Sequence, residues 1–343
     1  MRLILIIGTV LGIVNTCIGQ IQKDSFFIRK MKEPGVKLIP VYQGKYKVFT
    51  QKIGNGKIKL LLLHGGPANT HEYFENFPDN FKNTGIEIYY YDQLGSYYSD
   101  QPNDSTIWNV NRFVDEVEEV RKGLNLNNFY ILGHSWGGML AELYAAKYPD
   151  NLLAVIISNV PVVVKDTSKL RLNAKMISER WNSHIRSLPE FNKYSENIFD
   201  SIAKPTPLCD TILFNKLRTI YISKRDSLIQ STNYRLPVRP EPLQRNLSHI
   251  NRKDRVQMKG FDQNYLNAVG SIKCPVLLIG GNFDRMGQEL YPEMKSHFIN
   301  AKTRVYICPN GSHFSMWDDS PNYFREVIRF IKDVDSNSFD PDK

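Results

Sequence analysis

The chain has 343 residues, of which 42% are hydrophobic, 12% aromatic and 23% charged, a composition that excludes a chain disordered over most of its length. The formal net charge is +9, and residues 165–270 carry the whole excess, with 19 lysines and arginines against 10 aspartates and glutamates. This basic segment has no phosphate-binding loop, zinc-finger spacing or recognition-helix pattern, which argues against nucleic-acid binding. We expect a solvated cationic surface, with a surface that meets an acidic substrate as the alternative.

The first feature along the chain is a short apolar segment. Met1 and Arg2 precede LILIIGTVLGIV, an apolar run of about a dozen residues that is too short for a membrane-spanning helix. We interpret residues 1–19 as a cleaved signal peptide, which predicts a periplasmic or secreted protein without an integral membrane span in the mature chain. A lipid anchor on Cys17 is the less favoured alternative.

Cleavage of that signal would leave three cysteines, Cys209, Cys274 and Cys308. An odd, widely spaced set does not make a disulfide framework, and no C-x-x-C or histidine-rich spacing predicts a metal site. The residues therefore indicate no metal, and we expect Cys274 and Cys308 to be buried thiols because they adjoin apolar runs.

The following residues alternate between strand-like and helix-like patterns. Residues 36–49 alternate around a Gln-Gly turn and predict a hairpin. Longer apolar runs predict buried parallel strands at 57–63, 85–92, 128–133, 152–161, 275–281 and 303–309. Apolar residues at three- and four-residue spacing predict helices at 110–124, 139–148 and 322–334. This alternation predicts an α/β fold with a mostly parallel, doubly wound sheet that is covered by helices on both faces.

The alternation lapses in the basic, proline-punctuated middle of the chain. We interpret residues 165–270 as an inserted, mainly helical cap domain. It would separate two parts of one α/β core, residues 20–164 and 271–335. Residues 336–343 are polar and predict a frayed tail.

Gly133-His-Ser-Trp-Gly137 lies between a predicted strand and a predicted helix. The pattern G-x-S-x-G in that setting is typical of a nucleophile elbow, where the glycines permit a strained turn that exposes the serine hydroxyl above the sheet. We predict that Ser135 is a nucleophile and that the amide of Trp136 contributes to an oxyanion hole. An ordinary glycine-rich turn is the alternative.

A serine nucleophile needs an imidazole base that is oriented by a carboxylate. Asp284 follows one late predicted strand and His313 follows the next, and the order Ser135, Asp284, His313 is the chain order of α/β hydrolases. We predict these three residues as a catalytic triad. Asp318 and Asp319 are interpreted instead as the start of the last helix. Four other histidines are predicted surface residues: His71, His184, His249 and His297.

His64-Gly-Gly-Pro67 follows the third predicted strand. Glycines at a strand end let the backbone approach a substrate, so we predict the amide of Gly66 as a second oxyanion-hole donor. His64, Gly65 and Pro67 are predicted to lie at the substrate site. A tight turn after the strand is the alternative.

Several of these motifs together resemble the prolyl iminopeptidase (prolyl aminopeptidase) family of α/β hydrolases. The resemblance rests on HGGP at 64–67, YDQLGSYYSDQP at 91–102, GHSWGG at 133–138 and GSHFSMW at 311–317. It implies an α/β-hydrolase fold with a helical cap that shapes a pocket for one residue. It also implies a serine exopeptidase that releases N-terminal proline, or a similar small residue, from peptides through the predicted triad, without a cofactor.

The chain departs from the family pattern where a substrate amine would bind. Family members usually hold the ammonium with carboxylates, but Arg285 follows the predicted catalytic aspartate, and in the basic stretch 251–262 only Asp254 or Asp262 could substitute. A guanidinium opposes a bound ammonium, so an amidase or esterase acting on a small carboxylate-bearing substrate is the alternative. Five further carboxylates are possible anchors, although we expect each to be exposed: Glu142, Glu179, Glu190, Glu196 and Glu241.

Overall fold

The structure is a computed structural model that describes residues 25–67, 69–102, 104, 107, 109–162, 176, 179, 263–284 and 286–343. The predicted signal peptide and almost all of the predicted cap lie outside the described residues, as do Cys17 and Cys209. The described residues belong almost entirely to the predicted α/β core.

Eight strands form one sheet, in the order β1-β2-β4-β3-β5-β6-β7-β8. β2 runs antiparallel to both β1 and β4, and all other neighbours are parallel. The mostly parallel sheet is as predicted. The strands are β1 (Val36–Val41), β2 (Tyr46–Ile53), β3 (Ile58–Leu63), β4 (Ile86–Tyr91), β5 (Phe129–His134), β6 (Leu152–Ser158), β7 (Val276–Gly281) and β8 (Thr303–Cys308).

The predicted hairpin is formed by β1 and β2. Gln43 and Gly44, the two central residues of its turn, both have positive φ, 57° and 82°, as in the turns that match the twist of a two-strand ribbon. The amide of Lys45 donates to the carbonyl oxygen of Tyr42 at 3.1 Å and closes the turn.

Helices cover both faces of the sheet. They are α1 (Ser25–Lys30), α2 (Phe77–Asn80), α3 (Val110–Gly123), α4 (Trp136–Lys147), α5 (Gln263–Ser271), α6 (Tyr291–Lys295), α7 (Ser315–Asp318) and α8 (Ser320–Asp335), with short 3-10 turns at His71–Phe74 and Gln288–Leu290. α4 begins three residues before its predicted start, directly after Ser135. None of the helices in the described part of the chain is long and apolar enough to cross a membrane.

β3 shows how one strand serves two cores. Leu61 and Leu63 pack on the side of α3 and α4, whereas Leu60 and Leu62 pack on the side of α2 and α8. All four side chains are at most 1% exposed. A fully buried leucine contributes about 1.5–3 kcal/mol, so both faces hold the strand firmly. The sheet is thereby a rigid support for residues at its carboxyl edge.

The residues after α8 differ from the predicted frayed tail. The ring of Phe339 packs edge-on against Phe330 with centroids 5.0 Å apart, and the carbonyl oxygen of Asp340 accepts a hydrogen bond from Arg304 at 2.7 Å. The polar composition of this segment does not predict these contacts, because one depends on the single aromatic ring of Phe339 and the other on the backbone carbonyl of Asp340.

The two described cysteines are free thiols. Cys308 is buried, as predicted, and Cys274 is half-buried. Burial raises the pKa of the Cys308 thiol, so it remains protonated at neutral pH.

Candidate active site

The sheet topology brings the three predicted catalytic residues to one edge. Ser135 directly follows β5, Asp284 lies three residues beyond β7 and His313 five residues beyond β8. β5, β6, β7 and β8 are consecutive in the sheet and parallel, so their carboxyl ends meet at the same edge.

Ser135 occupies a sharp turn between β5 and α4. Its φ of 56° and ψ of −123° are values that residues with a Cβ rarely adopt, and its amide donates to the carbonyl oxygen of Ser158 at 2.9 Å. A Cβ on Gly133 would lie 2.0 Å from the oxygen of Gly137, and one on Gly137 would lie 2.2 Å from the oxygen of Leu63. Both flanking positions therefore require glycine, as an elbow predicts.

Ser135, His313 and Asp284 form a continuous line of contacts. His313 Nε2 lies 3.2 Å from Ser135 Oγ, and His313 Nδ1 lies 3.1 Å from Asp284 Oδ1. The fully buried carboxylate can only accept, so Nδ1 carries the proton and Nε2 presents its lone pair to the serine hydroxyl. In this arrangement the imidazole can take the hydroxyl proton.

Asn159 holds the carboxylate of this line, a role that the sequence reasoning missed. Its Nδ2 donates to Asp284 Oδ2 at 2.8 Å and to the carbonyl oxygen of Ser312 at 2.8 Å. Asn159 is the first residue after β6 and has a φ of 50°. The available signal was an asparagine directly after a buried strand, since asparagine adopts a positive φ more readily than most residues and so suits a sharp turn there.

The two predicted oxyanion-hole amides belong to Trp136, which follows Ser135, and to Gly66, which follows Gly65. Trp136 begins α4, so its N–H has no acceptor within the helix. Gly66 follows Gly65, whose position is so close to the elbow that a Cβ there would lie 3.0 Å from Ser135 Cβ. Glycine therefore allows this loop to lie against Ser135.

Gln93 joins the HGGP loop to Trp136, the first residue of α4. Its side chain accepts from the Trp136 indole N–H at 3.0 Å and donates to the carbonyl oxygen of His64 at 2.8 Å. Residues 91–102 contributed to the family resemblance, but nothing in that stretch predicted hydrogen bonds from Gln93 to His64 and Trp136.

The predicted substrate-site residues of the HGGP loop differ in exposure. His64 is fully buried, with Nδ1 2.8 Å from the oxygen of Gly65 and Nε2 accepting the amide of Gln93 at 3.0 Å. Its ring shapes the loop from inside. Gly65 is buried, Gly66 exposed and Pro67 half-buried, and a substrate contact by any of them remains a prediction.

His71 corrects an expectation, because it is buried and not on the surface. Its Nδ1 lies 2.9 Å from Asp92 Oδ1, and its ring stacks between Phe49 and Tyr90 with centroids 4.8 Å and 4.9 Å away. These partners lie on β2 and at the end of β4, so no local pattern around residue 71 indicates them.

Glu142, expected to be exposed, is fully buried within α4, whereas Glu179 is exposed as expected. The hydroxyl of Tyr265 donates to Glu142 Oε2, and Oε1 has no hydrogen-bond partner in the structure described. Burial raises the pKa of Glu142 to about 8. This carboxyl is therefore largely protonated at pH 7 and poorly suited to bind an ammonium.

The remaining predicted recognition residues lie outside the described residues: Asp254, Asp262, Arg285, Glu190, Glu196 and Glu241. Across the residues that are described, no group of three or more histidine, cysteine, aspartate or glutamate side chains could hold a metal ion.

Comparison with known proteins places this geometry in a family. The sequence profile of the α/β hydrolase fold matches residues 59–320. A proline iminopeptidase of Elizabethkingia meningoseptica is 39% identical over 317 residues, which span 86% of this chain and 97% of that protein. The chain belongs to the proline iminopeptidase family of α/β hydrolases. Another member, from Flavobacterium johnsoniae, is 38% identical over 85% of this chain and 95% of its own length.

A solved structure supports the fold independently. The proline iminopeptidase-related protein of Thermus thermophilus superposes with a TM-score of 0.60 at 16% identity, over 90% of this chain and 100% of that one. The predicted α/β-hydrolase fold is thus confirmed. The protein is a hydrolase related to the proline iminopeptidases.

Proposed function

We propose that this hydrolase is a serine exopeptidase that releases N-terminal proline, or a similar small residue, from peptides. The observation that carries the reaction class is the contact of His313 Nε2 with Ser135 Oγ, 3.2 Å, at a strained elbow. The preference for proline is supported by the family, since the two members named above are proline iminopeptidases that are 39% and 38% identical over at least 85% of this chain.

In the first half of the proposed reaction, Ser135 Oγ attacks the carbonyl carbon of the N-terminal residue while His313 Nε2 takes the hydroxyl proton. The oxyanion accepts hydrogen bonds from the amides of Gly66 and Trp136. His313 then gives its proton to the leaving amine nitrogen, and the carbon–nitrogen bond breaks. The shortened peptide departs, and the N-terminal residue remains as an ester on Ser135.

In the second half, water attacks the ester carbonyl carbon and His313 takes a proton from it. The second oxyanion collapses, the proton returns to Ser135 Oγ and the free amino acid leaves. The buried carboxylate of Asp284 stabilises the imidazolium in both halves, and Asn159 keeps that carboxylate in line.

The test uses substrates that differ at one end only. Prolyl and alanyl arylamides with a free amine would be compared with their N-acetylated forms, with simple acyl esters and with a carboxylate-bearing amide. Turnover of the free prolyl arylamide that is lost on acetylation supports the proposal. Equal turnover of the acetylated form, or faster turnover of the carboxylate-bearing amide, contradicts it and favours the amidase or esterase alternative.

The nucleophile is tested separately from the specificity. Ser135→Ala should abolish both turnover and labelling by a fluorophosphonate probe, whereas Ser158→Ala, on the neighbouring strand, should still be labelled. Labelling of Ser135→Ala at the rate of the wild type would refute the assignment. The expected loss in turnover is at least about 10⁴-fold, as when a triad member is removed.

We also propose that the protein is exported. The support is the apolar sequence of residues 1–19, which lie outside the described residues. Mass spectrometry of the protein from its native host should find a mature N-terminus at Gln20. An intact Met1 would contradict export, whereas a lipid on Cys17 would contradict the mature N-terminus at Gln20 and favour the lipid-anchored alternative.

A further inference from the structure

His134, the residue before Ser135, contacts the backbone of His313, the proposed base. It is the last residue of β5 and is 1% exposed. Its Nε2 lies 2.6 Å from the carbonyl oxygen of His313. Since a carbonyl can only accept, His134 Nε2 carries a hydrogen and donates it. His134, the residue before Ser135, thus holds the backbone of His313, the proposed base.

Tyr73 contacts the other side of the same imidazole. Its hydroxyl lies 3.3 Å from His134 Nδ1 and accepts a hydrogen bond from the amide of Gly65. Tyr73 is 2% exposed, and its carbonyl oxygen accepts from the Trp317 indole at 2.6 Å, which fixes its backbone. The hydroxyl is therefore placed between the loop of the proposed oxyanion donor and the elbow.

These contacts form one directed chain of hydrogen bonds. It begins at the amide of Gly65, which can only donate, and ends at the carbonyl of His313, which can only accept. Between them, the hydroxyl of Tyr73 accepts from Gly65 and donates to His134 Nδ1, and Nε2–H donates onward. Within these contacts each middle group gives one hydrogen and receives one, which is the pattern that a neutral His134 allows.

We propose that Tyr73 and His134 are positioning residues. Their relay, the chain of hydrogen bonds from the amide of Gly65 to the carbonyl of His313, holds three parts of the site in one geometry: the HGGP loop, the elbow at Ser135 and the loop that carries His313. The proposal rests on the proposed roles of Ser135, Gly66 and His313. The side chain of His313 is 29% exposed, and its loop lies beyond the end of β8, outside the hydrogen bonds of the sheet. A hydrogen bond to the backbone of His313 would therefore restrict the movement of the proposed base. Displacement of a reacting group by about 1 Å can cost on the order of 100-fold in rate.

Neutrality of His134 also matters to the charge on the base. The ring centroids of His134 and His313 are 4.9 Å apart. A positive charge on His134 would oppose the imidazolium that His313 forms during the reaction. In the relay His134 is neutral, with its hydrogen on Nε2 and the lone pair of Nδ1 facing the hydroxyl of Tyr73.

A pair of variants at His134 separates positioning from packing. His134→Phe keeps a ring of similar shape without either hydrogen bond, whereas His134→Gln keeps an N–H that can reach the carbonyl of His313. We expect His134→Phe to lower kcat about 10–100-fold with KM changed less than about 3-fold. His134→Gln should regain most of this loss. Equal kcat in the two variants would overturn the proposal.

Tyr73→Phe tests the first half of the relay and should also lower kcat. In the Tyr73→Phe/His134→Phe double variant the losses should overlap, because both changes break one chain; losses that multiply would count against it. The matched control is Tyr130→Phe on β5, since the buried hydroxyl of Tyr130 has no hydrogen-bond partner in the described structure. That variant should keep the kcat of the wild type, and urea midpoints would show that each variant is folded.

Labelling of Ser135 by a fluorophosphonate keeps this test independent of the substrate. If the wild type is labelled but does not cleave prolyl arylamides, the proposed peptidase function fails while the relay is still measured. A His134→Phe enzyme that is labelled as fast as the wild type would refute the relay alone. Should His134→Phe not fold, the ¹⁵N spectrum of the wild-type imidazoles decides: the Nε2–H tautomer of His134 supports the relay, and the Nδ1–H tautomer refutes it.

Discussion

Replacement of Glu142 by glutamine should change how stability depends on pH. Glu142 lies on α4, seven residues after Ser135, and its carboxyl is fully buried against Tyr265 with Oε1 lacking a hydrogen-bond partner in the described structure. Tyr291 is also close enough to interact with it electrostatically, and neither tyrosine offers a positive charge. Burial therefore favours the protonated form and raises the pKa from an ordinary value of 4.5 to about 8.

The size of the effect follows from this difference. Between pH 4.5 and 8 the carboxyl ionises in the unfolded chain but stays protonated in the folded one, so unfolding releases a proton and stability falls as pH rises. From pH 5.5 to 7.5 the free energy of unfolding should drop by roughly 2–3 kcal/mol on account of this group. Glutamine cannot ionise, and its carbonyl oxygen can still accept from Tyr265.

Urea unfolding followed by tryptophan fluorescence at pH 5.5, 6.5 and 7.5 measures the effect. The difference in unfolding free energy between Glu142→Gln and the wild type should shift in favour of the variant by roughly 2–3 kcal/mol over this range. Glu179→Gln, a change of an exposed carboxylate, should show no such shift. Parallel pH dependence of Glu142→Gln and the wild type would refute the reasoning. Unchanged KM for prolyl arylamide in Glu142→Gln would also show that this carboxyl does not bind the substrate amine.

Three further changes test the construction of the site. Gly137→Ala should lower the free energy of unfolding by about 1–3 kcal/mol or more, measured by urea titration, because the new Cβ would lie 2.2 Å from the oxygen of Leu63; unaltered stability would contradict the close packing. Asn159→Ala should lower kcat about 10-fold or more with little change in KM, since Asp284 loses a 2.8 Å hydrogen bond. Steady-state kinetics measures both constants, and an unchanged kcat would contradict this role of Asn159. Gln93→Leu removes the amide that joins His64 to the Trp136 indole beside the proposed oxyanion donors, so kcat should fall more than KM rises; an increase in KM alone would argue for a substrate contact instead.

How much of the site could be predicted depended on how local its signals were. The elbow could be predicted because its requirements fall on consecutive residues, two glycines around Ser135 between a strand and a helix. Asp284 and His313 could be proposed because each follows an apolar run, and parallel strands end at one edge of the sheet. Chain order alone could not give their contact distances.

Asn159, Gln93 and His134 were missed because their partners are distant in the chain. The amide of Asn159 meets a carboxylate 125 residues away, and the ring of His134 meets a carbonyl 179 residues away. Neither periodicity nor spacing describes such pairs, since the strand order of the sheet decides which loops become neighbours.

The sequence by itself determined the α/β class, the hairpin, the alternation of strands and helices and the place of Ser135 in a turn between a strand and a helix. These depend on the period of apolar residues and on glycine at fixed places, which act over a few residues. Only the tertiary structure decided that His71 and Glu142 are buried and that the hydroxyl of Tyr73 contacts both the amide of Gly65 and the ring of His134. The physical reason is that burial and hydrogen bonding of a polar side chain are settled by what the rest of the fold packs against it.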